Sequence, residues 1–306
     1  MSSAVNSGAP LPFFDEAAVR RVLRMEDLIP AMERALMDFS SGHVVQPVRM
    51  VIPIKQHNAF KAVMPVIYGD IMGAKLVTVY PENARMGLPT HQAVITLFET
   101  ATGQPIAVLD GRLITEMRTA AVSAVAVKLL APPEAKTLAI LGSGVQARAH
   151  AQALPLIRKF QNIRLWSWNA EHARLCAAEV GATAMAAEDA VRGADVVVTV
   201  TNSSDPVVRR AWLKRGALVI AVGAVVPTRR ELDSDTMRGA VIVDSREAAM
   251  KEAGDILLAQ AEVYAELGEI LVGAKPKPNA EITVFDSLGL AVEDIAASKL
   301  LLEARR

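Results

Sequence analysis

The sequence predicts an α/β chain of two unequal units, a doubly wound parallel-sheet unit inserted into a smaller α+β unit. Three observations carry this expectation. From Thr137 to Phe285, short apolar runs alternate with helical segments, the order that builds a parallel sheet covered on both faces. Before that, β-like runs lie close together, and two of them are joined by Thr100-Ala-Thr-Gly103, a plausible hairpin connection. Finally, Ala291 to Ala304 reads as a helix that packs back on the first unit.

The elements follow in order. Residues 1–10 are small and polar, without the cationic head and apolar middle of a signal peptide. Leu28, Met32, Ala35 and Phe39 recur at helical spacing after Asp27, the expected N-cap, with Pro30 tolerated in the first turn. Strands are expected over Val48–Ile54, Lys75–Tyr80, Ala93–Glu99 and Pro105–Asp110. An alanine-rich helix spans Thr115 to Leu130, with Thr115 its candidate N-cap, and Pro132-Pro133 ends it. The second unit offers strands at Thr137–Leu141, Ile163–Trp168, Val196–Thr201, Leu218–Val222, Val241–Asp244 and Ile282–Phe285.

Bulk composition narrows the function classes. Residues are 52% hydrophobic but only 4% aromatic, so the core is aliphatic. With 33 basic and 33 acidic residues the chain has no net charge to draw nucleic acid or an anionic membrane. Cys176 is the single cysteine, which excludes an internal disulfide and a multi-cysteine metal site; it falls on a helical stretch and reads as packing. The longest apolar stretch, Thr119 to Ala131, is broken by Ser123 and Lys128 and is too short for a bilayer. A soluble cytoplasmic protein is expected.

One motif carries chemistry. Gly142-Ser143-Gly144-Val145-Gln146-Ala147 follows a strand and opens a helix, the context that the G-x-G-x-x-A dinucleotide fingerprint requires. Gly142 permits the turn, Gly144 lets the backbone approach a pyrophosphate, and Ala147 lets helix and strand lie close. The helix N-terminus then holds the phosphates. At the end of the second strand, where a carboxylate usually meets the adenosine ribose, stands Asn169. A neutral amide does not repel a 2′-phosphate, and His172 and Arg174 follow, although Glu171 opposes them. This favours NADP(H), with NAD(H) as the alternative.

Three cations lie in unusual places. Arg118 in the first turn of its helix would oppose the dipole unless an anion sits beside it; otherwise it is a surface arginine paired with Glu116. Lys75 interrupts the apolar run Gly73 to Val79, so it is either buried with a partner or ligand, or on a solvated sheet face. Arg49 poses the same choice. His91, at a loop-to-strand junction, is more often structural than catalytic. There is no Ser/His/Asp set, no HExxH and no cluster of metal ligands. Cations beside a nucleotide site suit hydride transfer to a small carboxylate, because the cofactor carries the hard step.

An ordered series of motifs then becomes recognisable: Gly87-Leu-Pro-Thr-His-Gln92, Arg118-Thr-Ala-Ala121, the fingerprint, Ala221-Val-Gly-Ala224 with Arg230-Glu-Leu232, Lys251-Glu-Ala-Gly-Asp255 and Asp286-Ser-Leu-Gly-Leu-Ala-Val-Glu-Asp294. The chain resembles the ornithine cyclodeaminase/mu-crystallin family from about Arg49 onward, most closely its mu-crystallin (ketimine reductase) branch. The resemblance implies a Rossmann-type dinucleotide-binding domain over 118–289. It implies a substrate-binding and dimerisation domain over 1–117 together with 290–306, and a homodimer. Arg49, Lys75 and Arg118 match positions that hold the substrate carboxylate and neighbouring groups, and Lys75, Arg118 and Glu252 are the implied catalytic residues. Thr90, His91, Gly144, Val145, Gln146, Asn169, Thr201, Asn202, Val222 and Ser287 match cofactor-lining positions, joined by Gly142 of the fingerprint.

The departures are specific. Val225 and Ala62 stand where true ornithine cyclodeaminases carry carboxylates, and Ala170 follows Asn169 where the reductase branch has an arginine for the 2′-phosphate. The expectation is therefore an NAD(P)H-dependent reductase of cyclic imino acids. The alternatives are an ornithine cyclodeaminase, an L-amino-acid dehydrogenase, or a non-catalytic NADPH-binding protein.

Overall fold

The computed structural model describes residues 10–305, so the expectation for residues 1–9 lies outside the described residues. Two sheets organise the chain. The first holds β1 (Phe13–Phe14), β2 (Val44–Val45), β3 (Met50–Ile54), β4 (Ala59–Tyr68), β5 (Ile71–Val79), β6 (His91–Glu99) and β7 (Pro105–Asp110). Their order is β1-β7-β6-β5-β4-β2, with β3 also on β4. Side chains alternate as a half-covered antiparallel sheet requires. Ala62, Met64, Val66, Ile95 and Leu97 are buried under helices, whereas Ile67, Leu76 and Val94 face outward and are exposed. Residues 100–103 do join β6 to β7 as a hairpin.

Helices α1 (Glu16–Val22), α2 (Met25–Ser40) and α3 (Arg112–Leu130) precede the second sheet. That sheet contains β8 (Thr137–Leu141), β9 (Asn162–Trp166), β10 (Thr183–Ala184), β11 (Val196–Thr199), β12 (Ala217–Ala221), β13 (Ala240–Val243), β14 (Val263–Glu266) and β15 (Ile282–Asp286). All pairings are parallel, in the order β10-β9-β8-β11-β12-β15-β13-β14. Every residue of β8, β11 and β12 is buried, because helices cover both faces. The covering helices are α4 (Val145–Ala153), α5 (Ala170–Val180), α6 (Ala187–Val191), α7 (Arg246–Glu252), α8 (Gly254–Ala259) and α9 (Leu267–Leu271). From β8 the chain runs outward to β9 and β10 on one side, then crosses back to β11 on the other side of β8. In sheets of this kind such a switch point, beyond the carboxyl ends of the strands, is where a ligand crevice forms.

The closing helix α10 (Ala291–Glu303) packs on α2, α3, β4 and β5, as expected. Buried Cys176 is core packing. Among the described residues no helix is long and apolar enough to cross a membrane.

Three local expectations are corrected. Asp27 is not an N-cap: α2 begins at Met25, and Asp27 lies in its first turn, where its charge still favours the helix dipole. Pro30 therefore falls inside the helix, which survives because Leu28, Ile29, Met32, Ala35 and Leu36 are buried along it. Nor is Thr115 an N-cap. α3 starts at Arg112 after Gly111, the Asp110 carboxylate accepts the Arg112 N–H (2.9 Å), and the Thr115 N–H is already used by the Gly111 carbonyl. Strand β4 was missed because Pro65 interrupts it. Pro65 falls between the short partners β2, paired at Ile67, and β3, paired at Val63, so no strand on that edge needs its missing N–H.

Candidate active site

The fingerprint turn lies at the carboxyl end of β8. Gly142 has φ +134°, and a side chain there would strike Val200 Cγ2 at 2.7 Å, so only glycine closes the turn. Gly144 differs: a Cβ would meet no protein atom within 4 Å. Free space in front of a helix N-terminus is what an approaching pyrophosphate needs. Ala147 is fully buried against the sheet. Buried in α4, His150 bonds the Gln146 carbonyl through Nδ1 (2.7 Å) and Ser123 Oγ through Nε2 (2.8 Å). Burial lowers its pKa to about 4, so the neutral ring ties the fingerprint helix to α3.

Five of the other expected cofactor residues lie just beyond the carboxyl ends of strands of the same sheet. Asn169 follows β9 and caps α5, accepting the His172 N–H at 3.0 Å. Thr201 and Asn202 follow β11, Val222 follows β12, and Ser287 follows β15. Val145 is exposed at the mouth, whereas the Gln146 side-chain oxygen is buried without a hydrogen-bond partner. Thr90 and His91 arrive from the first sheet, at the start of β6. Arg174 is held by Glu171 through two hydrogen bonds of 2.9 and 2.6 Å, which ties up the charge expected to serve a 2′-phosphate.

The cation choices resolve toward burial. Lys75 is 2% exposed and Arg118 5%; neither is a solvated surface group, and Arg118 is not paired with Glu116. Because α3 starts at Arg112, Arg118 lies in its second turn, so the expected conflict with the first-turn dipole does not arise. Two adjacent acids of α10 hold these cations. Lys75 Nζ is 2.7 Å from Asp294 Oδ2, and Arg118 Nη1 donates to Glu293 Oε2 at 2.7 Å. Thr115 Oγ1 accepts from Lys75 Nζ at 3.4 Å. Arg49 Nη2 donates to the carbonyls of Leu288 (2.8 Å) and Gly289 (3.0 Å), while its Nε faces Glu252 at 3.0 Å.

One loop joins all of this. The fully buried Asp244 carboxylate accepts the N–H groups of Leu288 (2.8 Å) and Gly289 (2.6 Å), fixing the backbone that Arg49 and Arg118 touch. Arg49, Lys75, Arg118 and Glu252 thus converge on residues 287–294, immediately after the β15 end that carries Ser287.

Burial in such company moves pKa values. Desolvation draws Lys75 down to about 8; Asp294 opposes this and Arg118 adds to it. Desolvation, then the cations Lys75 and Arg118, bring His91 to about 4, so its ring is neutral. Burial raises Glu293 to about 7 against the attraction of Arg118, and burial also raises Glu252. Glu293 and Asp294 carried no expected role. Their signal lay in the sequence as two acids at the head of the apolar helix Ala291-Val-Glu-Asp-Ile-Ala-Ala, since buried acids require partners.

A parallel sheet with a fingerprint turn, together with a cluster of buried, acid-paired cations, defines a two-sheet dinucleotide-dependent α/β protein. The chain belongs to the ornithine cyclodeaminase/mu-crystallin family, whose model matches residues 13–306. It is 46% identical over 286 residues to the ketimine reductase mu-crystallin of Mus musculus, covering 90% of this chain and 91% of that protein. Among solved structures it is similar to the Thermococcus litoralis Δ1-pyrroline-2-carboxylate reductase in complex with NADH and L-proline. That similarity has TM-score 0.91 and 33% identity, over 96% of this chain and 97% of that one. An archaeal alanine dehydrogenase dimer with bound NAD gives TM-score 0.90 and 30% identity, over 96% and 95%.

Proposed function

We propose that the chain is an NAD(P)H-dependent reductase of cyclic imino acids of the Δ1-pyrroline-2-carboxylate or Δ1-piperideine-2-carboxylate type. The observation that carries it is the convergence of buried Lys75 and Arg118 and half-buried Arg49 on the segment that follows Ser287. A bound reduced nicotinamide supplies the hydride, received by the C=N carbon. Arg118 and Arg49 hold the substrate carboxylate and aim that carbon, so orientation is the main catalytic lever. Lys75, with its depressed pKa, donates a hydrogen bond or proton to the imine nitrogen. Glu252 sets the orientation of Arg49 from behind. Gly142, Gly144, Val145 and Gln146 cradle the pyrophosphate, with Thr90, His91, Asn169, Thr201, Asn202, Val222 and Ser287 along the rest of the dinucleotide. The absence of a carboxylate at Asn169 favours NADP(H); Ala170 and the Glu171-bound Arg174 leave NAD(H) the alternative.

The division of labour follows the two sheets: 1–117 together with 290–306 for substrate and dimer contacts, and 118–289 for the dinucleotide. We infer a homodimer formed on the outer face of the first sheet. There Val45 (65%), Met50 (62%), Ile67 (41%) and Val94 (41%) are exposed on one face, the kind of apolar surface that a partner covers. The similar alanine dehydrogenase is itself a dimer.

The test is spectrophotometric. Cyclic imino acids should oxidise NADPH or NADH stoichiometrically, and ornithine should release no ammonia. Ammonia from ornithine without net cofactor change would replace the reductase with a cyclodeaminase. Tight coenzyme binding without turnover of any imino acid would leave a binding protein.

A further inference from the structure

A fully buried carboxylate stands behind the crevice, and the chemistry just proposed does not use it. Glu231, in the loop after β12, is 0% exposed. Its Oε1 accepts the N–H of Thr201 (2.6 Å) and the hydroxyl of Thr201 (2.6 Å). Its Oε2 accepts the N–H of Gly223 (2.7 Å) and the hydroxyl of Thr199 (2.8 Å). Thr199 ends β11 and Thr201 lies just beyond it, while Gly223 belongs to the turn beyond β12. One carboxylate therefore joins the two loops carrying Thr201, Asn202 and Val222. From behind, Asp255 Oδ1 accepts the N–H groups of Glu231 (2.9 Å) and Leu232 (2.8 Å), which fixes the backbone that presents it.

The geometry leaves no room for slack. A side chain at Gly223 would meet the Glu231 carboxyl carbon at 2.8 Å. The hydroxyl of Thr201 is also committed, since it accepts the Ser203 N–H at 3.2 Å while donating to Glu231. Each carboxylate oxygen takes one backbone N–H, and a backbone N–H cannot become an acceptor. An amide in place of the acid must therefore turn its NH2 toward Thr201 N or Gly223 N, whichever way it flips.

We infer that Glu231 is a positioning residue for the coenzyme: its charge clamps the β11 and β12 loops into one wall against which the dinucleotide lies. The inference rests on the coenzyme site proposed above. It assigns Glu231 no contact with the substrate, whose cations lie on other elements.

The test is Glu231→Gln in the full-length protein, with reduced dinucleotide as the probe. Coenzyme fluorescence should give a Kd raised about tenfold or more, the equilibrium equivalent of one lost buried hydrogen bond. The imino-acid KM, measured at saturating coenzyme, should stay within about twofold, since its cations are untouched. Unchanged coenzyme affinity overturns the inference. So does a parallel rise in both constants, which marks general loosening. If Glu231→Gln does not fold, Thr199→Val removes one hydroxyl and keeps the charge; it should weaken coenzyme about threefold or more, and an unchanged Kd in that variant also overturns the inference. Wild-type protein that binds coenzyme but reduces no imino acid removes the proposed function alone, because the Kd is read without substrate.

Discussion

The guanidinium of Arg118 lies against the α-carbon of Gly289: a methyl group there would fall 2.6 Å from Nη2 and 2.8 Å from Cζ. Gly289 also has φ +79°, in the left-handed region that disfavours side chains. Two requirements thus coincide at one residue. The backbone turn that lets Asp244 accept its N–H also leaves the space that Arg118 occupies. Substrate geometry in the proposed reductase depends on a missing side chain.

Gly289→Ala should therefore displace Arg118 and behave as a partial copy of Arg118→Ala. Misplacement of a clamp by about 1 Å is expected to cost about a hundredfold in kcat/KM. Because both substitutions act through one guanidinium, Gly289→Ala should add little in an Arg118→Ala background. Independent, multiplying losses in the double variant would show that Gly289 acts elsewhere.

Lys75 makes the reductase sensitive to alkali. In the free protein it holds its proton only up to about 8, since burial disfavours the ammonium. If it serves the imine nitrogen as a donor, kcat/KM for reduction should be flat below that pH and fall above it. Asp294 is the group that favours the charged form, so Asp294→Asn should move the fall to lower pH. A pH profile of kcat/KM for both proteins decides the matter. A limb at the same pH in each belongs to the substrate or another group, and Lys75 would lose the role.

What the sequence made legible was whatever depends on local pattern. The fingerprint at Gly142–Ala147 and the strands at Thr137–Leu141 and Pro105–Asp110 are set by glycine turns and apolar runs, and they fall where periodicity puts them. The starts of α2 and α3 did not, because capping by Asp27 or Thr115 competes with packing, and packing won. Burial of Lys75 and Arg118 was undecidable from alternation alone. It depends on Asp294 and Glu293, more than 170 residues away from Arg118 along the chain. Glu231 stands within the Arg230-Glu-Leu232 motif, but its role was not legible for the same reason, as its partners Thr199, Thr201 and Gly223 meet it only in the fold.

A second pair of buried acids makes stability depend on pH. Asp255 Oδ2 and Asp286 Oδ2 are both buried without a hydrogen-bond partner. Burial raises Asp255 to about 7. Burial, then the charges of Asp255, Asp244 and Glu231, raises Asp286 well above its ordinary value. Both carboxyls bind protons more tightly folded than unfolded. Their contribution to stability is therefore present at low pH and lost as pH rises through about 7 and beyond. Asp286→Asn keeps the shape and cannot ionise. Against wild type, its melting temperature should gain progressively between about pH 5 and 8.5, by a few degrees at the alkaline end. The difference between the two curves isolates Asp286 from Glu293 and Lys75, which titrate in both proteins. Curves that run parallel across this range would mean that Asp286 carries the same charge folded as unfolded.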